Sequence, residues 1–259
     1  NNTPRQINIY RALGVALPKF AHLPMILGQD GERLSKRHGA VSVMQYQEEG
    51  YLPEALLNYL ARLGWSHGNE EKFSSEQLVE WFDLEHISKS PARFDPEKLA
   101  WLNQQYLKET DDARLAELMT PFLEADGCDV KNGPPPATVA ALLKERVNTV
   151  KELADAAVYF YRALEPSAEL KQQHYTAAIK PALVDLRKRL AAIDWQRGKI
   201  NEVLKAVVAD HGLKLPKLAM PLRVMVTGEA QTPSIDATLE LIGRDQVLAR
   251  LERELQAFP

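Results

Sequence analysis

Apolar positions along this chain recur mostly at steps of three and four, the period of a helix with one buried face, and this holds for nearly everything beyond the first fifty residues. Over 53–63 the stripe is Leu56, Leu57, Leu60 and Leu63, with Pro53 suited to a first helical turn and Gly64 to the stop. The same reading predicts helices over 75–82, opened by a hydroxyl cap at Ser74 or Ser75, and over 95–103, with Pro96 in the first turn. Further helices are predicted over 112–124, 138–146, 149–164, 175–193, 196–211 and 243–257. In the helix over 149–164, Leu153, Ala156, Ala157, Phe160 and Leu164 form the core stripe. Strand signals are sparse: one hairpin is expected, running over 24–27, turning through 28–31 and returning along 32–34, because Asp30-Gly31 supplies the positive φ of a tight turn. Residues 127–136 end in three consecutive prolines and read as a connector, and 166–173 as a second soft segment. The fold class is therefore mainly α.

Composition narrows this. At 259 residues with 45% hydrophobic side chains, the chain can bury two or three modest cores. A charged fraction of 26% and the lack of any apolar run of spanning length point to a soluble protein with no membrane partner. The first residues lack the basic start and apolar stretch of a secretory signal and read like a cut through a longer chain. A single cysteine, Cys128, allows neither an intrachain disulfide nor a thiolate zinc cluster, so a reducing, cytoplasmic setting and no zinc site are expected. The six histidines show no ligand spacing and are expected at the surface or at caps. A net charge of −3 does not by itself announce a polyanion partner. Cations do gather at Arg33, Lys36 and Arg37, again at Arg187, Lys188, Arg189, Arg197 and Lys199, and at Lys214, Lys217 and Arg223. Each cluster is either a local positive face or an ordinary solvated helix surface. Trp65, Trp81, Trp101 and Trp195 stand beside helical apolar residues, which favours packing over base stacking.

The segment Gly31-Glu32-Arg33-Leu34-Ser35-Lys36-Arg37-His38-Gly39 sets three cations and a hydroxyl in a turn between glycines, a composition able to fold over a triphosphate. Arg33-Leu34-Ser35-Lys36-Arg37 resembles the signature loop of class I aminoacyl-tRNA synthetases in its glutamyl and glutaminyl variant. The context is more specific. Asn1-Asn2-Thr3-Pro4-Arg5-Gln6, Phe20-Ala21-His22-Leu23-Pro24-Met25-Ile26-Leu27, Ser88-Lys89-Ser90-Pro91-Ala92-Arg93-Phe94-Asp95, Leu99-Ala100-Trp101-Leu102-Asn103, Arg146-Val147-Asn148-Thr149-Val150-Lys151-Glu152-Leu153 and Pro221-Leu222-Arg223-Val224-Met225-Val226-Thr227-Gly228 resemble, in the same order, the bacterial glutamyl-tRNA synthetases.

That resemblance implies the C-terminal half of such an enzyme, with ATP, Mg2+, L-glutamate and glutamate tRNA as its substrates and partners and a monomer as its state. It implies that Lys36 stabilises the charge developing on departing pyrophosphate, that Ser35 donates a hydrogen bond and that Arg37 assists on phosphate or on the RNA acceptor end. Arg33 keeps the family's charge but changes its shape. For Arg146 the resemblance implies a guanidinium inspecting the last anticodon base; the competing reading is a helix-end arginine paired with Glu145 or Glu152. For Arg223, a phosphate contact and a role in fixing the last helices both stay open. The implied organisation is a stem-contact region with a short hairpin over 1–95, then helical anticodon-binding subdomains over 96–165 and 166–259. The family's histidine-x-glycine-histidine motif is missing from the sequence, so the chain alone is expected to be inactive in forming the adenylate. Two other functions compete with this one, a freestanding RNA-binding module derived from a synthetase and a helical protein-interaction scaffold.

Overall fold

Helix starts in this protein are set largely by prolines and hydroxyl caps, which supply what the first four amides of a helix lack. In the computed structural model, which describes residues 2–35, 42–256 and 258, the chain forms two units, Asn1–Asn103 and Gln104–Pro259. In the first, α1 (Thr3–Ala12) is followed by β1 (Ile26–Leu27), α2 (Val43–Glu48), α3 (Pro53–Arg62), α4 (Ser75–Trp81) and β2 (Ala92–Arg93). The unit boundary falls within α5 (Pro96–Glu109).

Pro53 opens α3, and a reciprocal pair of hydrogen bonds between Ser74 and Gln77 opens α4. Buried amides stitch the loops around α3. Asn58 donates to the Glu71 carbonyl at 3.1 Å and accepts from the Phe73 amide at 3.1 Å, while Asn103 accepts from the Leu52 amide at 2.8 Å. The Tyr59 hydroxyl donates to the Asp95 carbonyl at 2.9 Å, and burial pushes its pKa up to about 12. The predicted stripe of α3 is only half right. Leu56 and Leu63 are buried, but Leu57 and Leu60 line an apolar groove of about 560 Å3 together with Leu23, Trp65, Val79 and Phe82.

The hairpin forms as a tight loop rather than a long ribbon. Gly31 takes φ +81°, the Gly28 amide donates to the Glu32 carbonyl at 2.7 Å, and the Leu34 amide to the Ile26 carbonyl at 2.9 Å. What periodicity could not show is that β1 also pairs in parallel with β2, Ile26 with Ala92 and Leu27 with Arg93. β1 is thus paired on both sides, with β2 and with the return segment that holds Arg33 and Leu34.

The second unit is built of helices among its described residues. The end of α5 leads into α6 (Asp112–Ala125), α7 (Pro136–Leu143), a 3-10 turn at Lys144–Arg146, and α8 (Val150–Tyr161); α6, α7 and α8 bury Leu115, Met119, Leu123, Leu143 and Leu153 against one another. Then come α9 (Ala168–His174), α10 (Lys180–Leu190), α11 (Arg197–Asp210), α12 (Leu215–Thr227), α13 (Ile235–Ile242) and α14 (Arg244–Gln256), whose core includes Leu186, Ile200, Leu222, Leu239 and Leu251.

Several expectations need correction. The soft segment over 166–173 is mostly α9, a polar helix with no buried residue, started by the Ser167 side chain accepting from the Leu170 amide. The helix expected over 175–193 begins only at Lys180. No helix is predicted over 215–227, yet Pro221 lies inside α12, whose apolar residues Leu218, Leu222 and Met225 are fully buried and offset the lost amide bond. Pro136, placed in the connector, opens α7. Trp65 is buried, Trp81 stacks on His67 with ring centroids 4.4 Å apart, and Trp195 donates to the Leu239 carbonyl, yet Trp101 is 47% exposed.

Candidate nucleic-acid interface

The candidate site lies in the second unit, where α8 and the residues just before it face the loop that follows α12. The Thr149 side chain caps α8 by accepting from the Glu152 amide at 3.1 Å, and the Glu152 carboxylate accepts from the Asn148 amide at 2.7 Å. Glu152 is therefore committed to the backbone, and Glu145 reaches Lys108 at 3.8 Å. Neither carboxylate expected to pair with Arg146 does so. Arg146, at the end of the 3-10 turn, is exposed and has no ion pair or hydrogen bond among the described residues.

Arg146 lies on the rim of a cavity of about 290 Å3, near the lower end of what small planar ligands need. Its wall combines Asp155, Tyr159, Glu229, Gln231 and Thr232 with the apolar surfaces of Val147 and Pro233. Arg223 stands behind that wall. Its Nε donates to Thr232 Oγ1 at 2.7 Å and its Nη2 to the Pro233 carbonyl at 3.3 Å, so it holds two lining residues in place. Burial, and then the charge of Arg146, hold the Arg223 guanidinium below its ordinary pKa. The two arginines singled out separately in the sequence thus act on one cavity.

A third arginine braces the arrangement. Arg250, on α14 and 4% exposed, donates through Nη1 to the Tyr159 carbonyl at 2.7 Å and to the Val226 carbonyl at 2.8 Å. Both carbonyls belong to last helical turns, of α8 and α12, where the intrahelical ladder offers no donor and the dipole favours a cation. Burial, and then the neighbouring Arg253, lower the Arg250 pKa to about 10, which leaves it charged at neutral pH. Gly228 ends α12 at φ +76°, and a Cβ there would meet the Leu164 side chain at 2.8 Å. Sequence reading missed Tyr159, Thr232 and Arg250. Tyr159 sits among aliphatic core residues, and only its hydroxyl could have marked it.

The basic cluster of α10 and α11 is mostly neutralised. Arg187 pairs with Glu252, Arg189 with Asp185 and Asp210 at 2.8 and 2.7 Å, Arg197 with Asp236 at 2.8 Å, and Lys199 with Glu202 at 2.9 Å. Lys188, Lys214 and Lys217 are exposed with no ion pair among the described residues. At the signature loop, Arg33 and Ser35 are exposed, Leu34 is half-buried, and Arg33 bridges to Leu27. Lys36 and Arg37 lie outside the described residues. No helix is long and apolar enough to cross a membrane, and among the described residues no three His, Cys, Asp or Glu side chains are grouped to hold a metal ion.

Comparison with known proteins defines the class first. Residues 114–255 match the family of anticodon-binding domains, and residues 1–101 match the catalytic domain of class I tRNA synthetases for E and Q. A glutamate–tRNA ligase from Nitrosospira multiformis is 66% identical over 260 residues, covering 100% of this chain and 56% of that protein. One from Nitrosomonas europaea is 62% identical over 264 residues, with the same coverage. The crystal structure of a glutamate tRNA ligase from Elizabethkingia meningosepticum, in complex with its amino acid, superposes with a TM-score of 0.86 at 28% identity, covering 100% of this chain and 56% of that one. The chain belongs to the bacterial glutamyl-tRNA synthetase family, and it spans about 56% of the length of these curated relatives.

Proposed function

We propose that this chain is the tRNA-binding share of a cytoplasmic, monomeric glutamate–tRNA ligase. The cavity beneath Arg146 receives an anticodon base of glutamate tRNA, with Arg223 organising its wall. Residues 1–95 serve as the end of the catalytic domain and the stem-contact region, and 96–165 and 166–259 as two helical anticodon-binding subdomains. Arg33, Leu34, Ser35, Lys36 and Arg37 form the loop that closes over the ATP phosphates, and Lys36 offsets the charge of departing pyrophosphate. The reaction joins glutamate to ATP and then transfers the glutamyl group to the terminal adenosine of the tRNA. Magnesium arrives as part of the ATP complex. Glutamate binding belongs to parts of the enzyme beyond this chain, which shares in adenylate formation only through its loop and alone is inactive.

The observation that carries this reading is a guanidinium free of any partner among the described residues, set at the mouth of a mixed polar and apolar cavity. Directed donors beside flat apolar surface suit an unstacked base. The test is equilibrium binding of the 259-residue chain to glutamate tRNA and to the same tRNA with its third anticodon base changed. The wild-type chain is expected to prefer the unaltered tRNA, and Arg146→Ala to erase about 1–3 kcal/mol of that preference. Equal binding of both tRNAs would contradict anticodon reading, and absence of binding to either would leave a protein-interaction scaffold.

A further inference from the structure

The Tyr159 hydroxyl has no hydrogen-bond partner among the described residues, although Tyr159 is only 3% exposed. A phenol removed from water without a partner is costly, and such groups are rare enough to require a reason. Tyr159 lines the cavity described above, and the charges of Arg146, Arg223 and Glu229 all act on its phenol. Burial pushes its pKa well above the ordinary tyrosine value, so the oxygen stays protonated and keeps a proton to donate.

The rest of the lining says what would accept that proton. Asp155 and Glu229 offset the charges of Arg146 and Arg223, so the cavity has no net positive excess with which to hold a phosphate dianion. Val147 and Pro233 give it apolar walls, and Gln231 adds a neutral amide, while the Thr232 hydroxyl is already engaged by Arg223 and the Pro233 carbonyl. The fitting occupant is a neutral planar heterocycle with hydrogen-bonding edges. We propose that the Tyr159 hydroxyl is a specificity-determining donor, giving its proton to a carbonyl oxygen or ring nitrogen of the nucleobase held in this cavity. This rests on the reading that the cavity takes an anticodon base. The hydroxyl has no partner among the described residues, and the base supplies one.

The test is Tyr159→Phe in the full 259-residue chain, which removes one oxygen and keeps the ring. Fluorescence anisotropy would measure its affinity for the anticodon-arm hairpin of glutamate tRNA and for hairpins with each anticodon base changed in turn; thermal unfolding would be followed in parallel. The expected result is a ~5- to 10-fold loss of affinity for the parent hairpin, the size of one neutral hydrogen bond. The preference at one anticodon position should shrink while the other two hold. The free variant should unfold at the same or a higher temperature, since an unpartnered buried hydroxyl is gone. Unchanged affinity and preference would overturn the role of Tyr159 while leaving the cavity reading intact, provided Arg146→Ala still reduces the preference. A uniform loss over all hairpins with a lower unfolding temperature would overturn it in favour of packing. A wild-type chain indifferent to every anticodon change would overturn both.

Discussion

At the scale of single residues, the account asks different things of Lys36 and Arg146. Lys36 is proposed to supply a compact, rotatable charge to phosphate oxygens whose charge grows as pyrophosphate leaves, a role confined to the chemical step. In a full-length enzyme carrying this chain, Lys36→Ala should therefore slow ATP–pyrophosphate exchange by about 10²–10³-fold while leaving tRNA affinity within about twofold. A loss shared equally by exchange and tRNA binding would contradict that division. Arg146 is proposed to work by direction rather than charge alone, because a guanidinium presents its donors in a fixed fork. Both residue types were legible in the sequence, and so was Arg223. Their arrangement was not: nothing in local spacing brings the last turn of α8 to the end of α12, and nothing shows that Glu152 is already held by the Asn148 amide. Tyr159 was hidden for a different reason. Helical period assigns its neighbours Ala157 and Phe160 to the core, correctly, and period says nothing about whether a hydroxyl in that stripe has a partner.

At the scale of elements, the site depends on two helix ends held together. Arg250 satisfies one terminal carbonyl of α8 and one of α12 with a single buried nitrogen, so replacing it leaves both acceptors out of water without a donor. Arg250→Met, which keeps much of the volume, is expected to cost about 2–5 kcal/mol in urea unfolding and to weaken RNA binding, because the ends of α8 and α12 lose their common brace. A cost below about 0.5 kcal/mol would mean that water replaces the guanidinium without penalty. Elements with a clear amphipathic stripe, such as α6 and α11, were readable from sequence within a few residues of their ends. Two others escaped. α9 lacks a buried face, so its helicity rests on the Ser167 cap, and α13 is buried on nearly every side, which erases the contrast that periodicity measures. The prolines of α12 concealed a third, since a proline inside a helix is disfavoured until burial around it compensates.

At the scale of the whole molecule, each unit carries its own evidence. In the first, a strand paired on both sides holds the segment that contains Arg33 and Leu34; in the second, stacked helices surround the cavity. Net charge was a poor guide because most cations on α10 and α11 are spent on neighbouring carboxylates, and the open ones are few and scattered. The most direct measurement is photo-crosslinking: glutamate tRNA carrying a photoreactive base at each anticodon position in turn, bound to this chain, with the attached peptides mapped by mass spectrometry. The account predicts crosslinks at one position to the peptides containing Arg146, Tyr159 and Thr232. Anticodon crosslinks confined to residues 1–95, or falling on α10 and α11 away from the cavity, would contradict it.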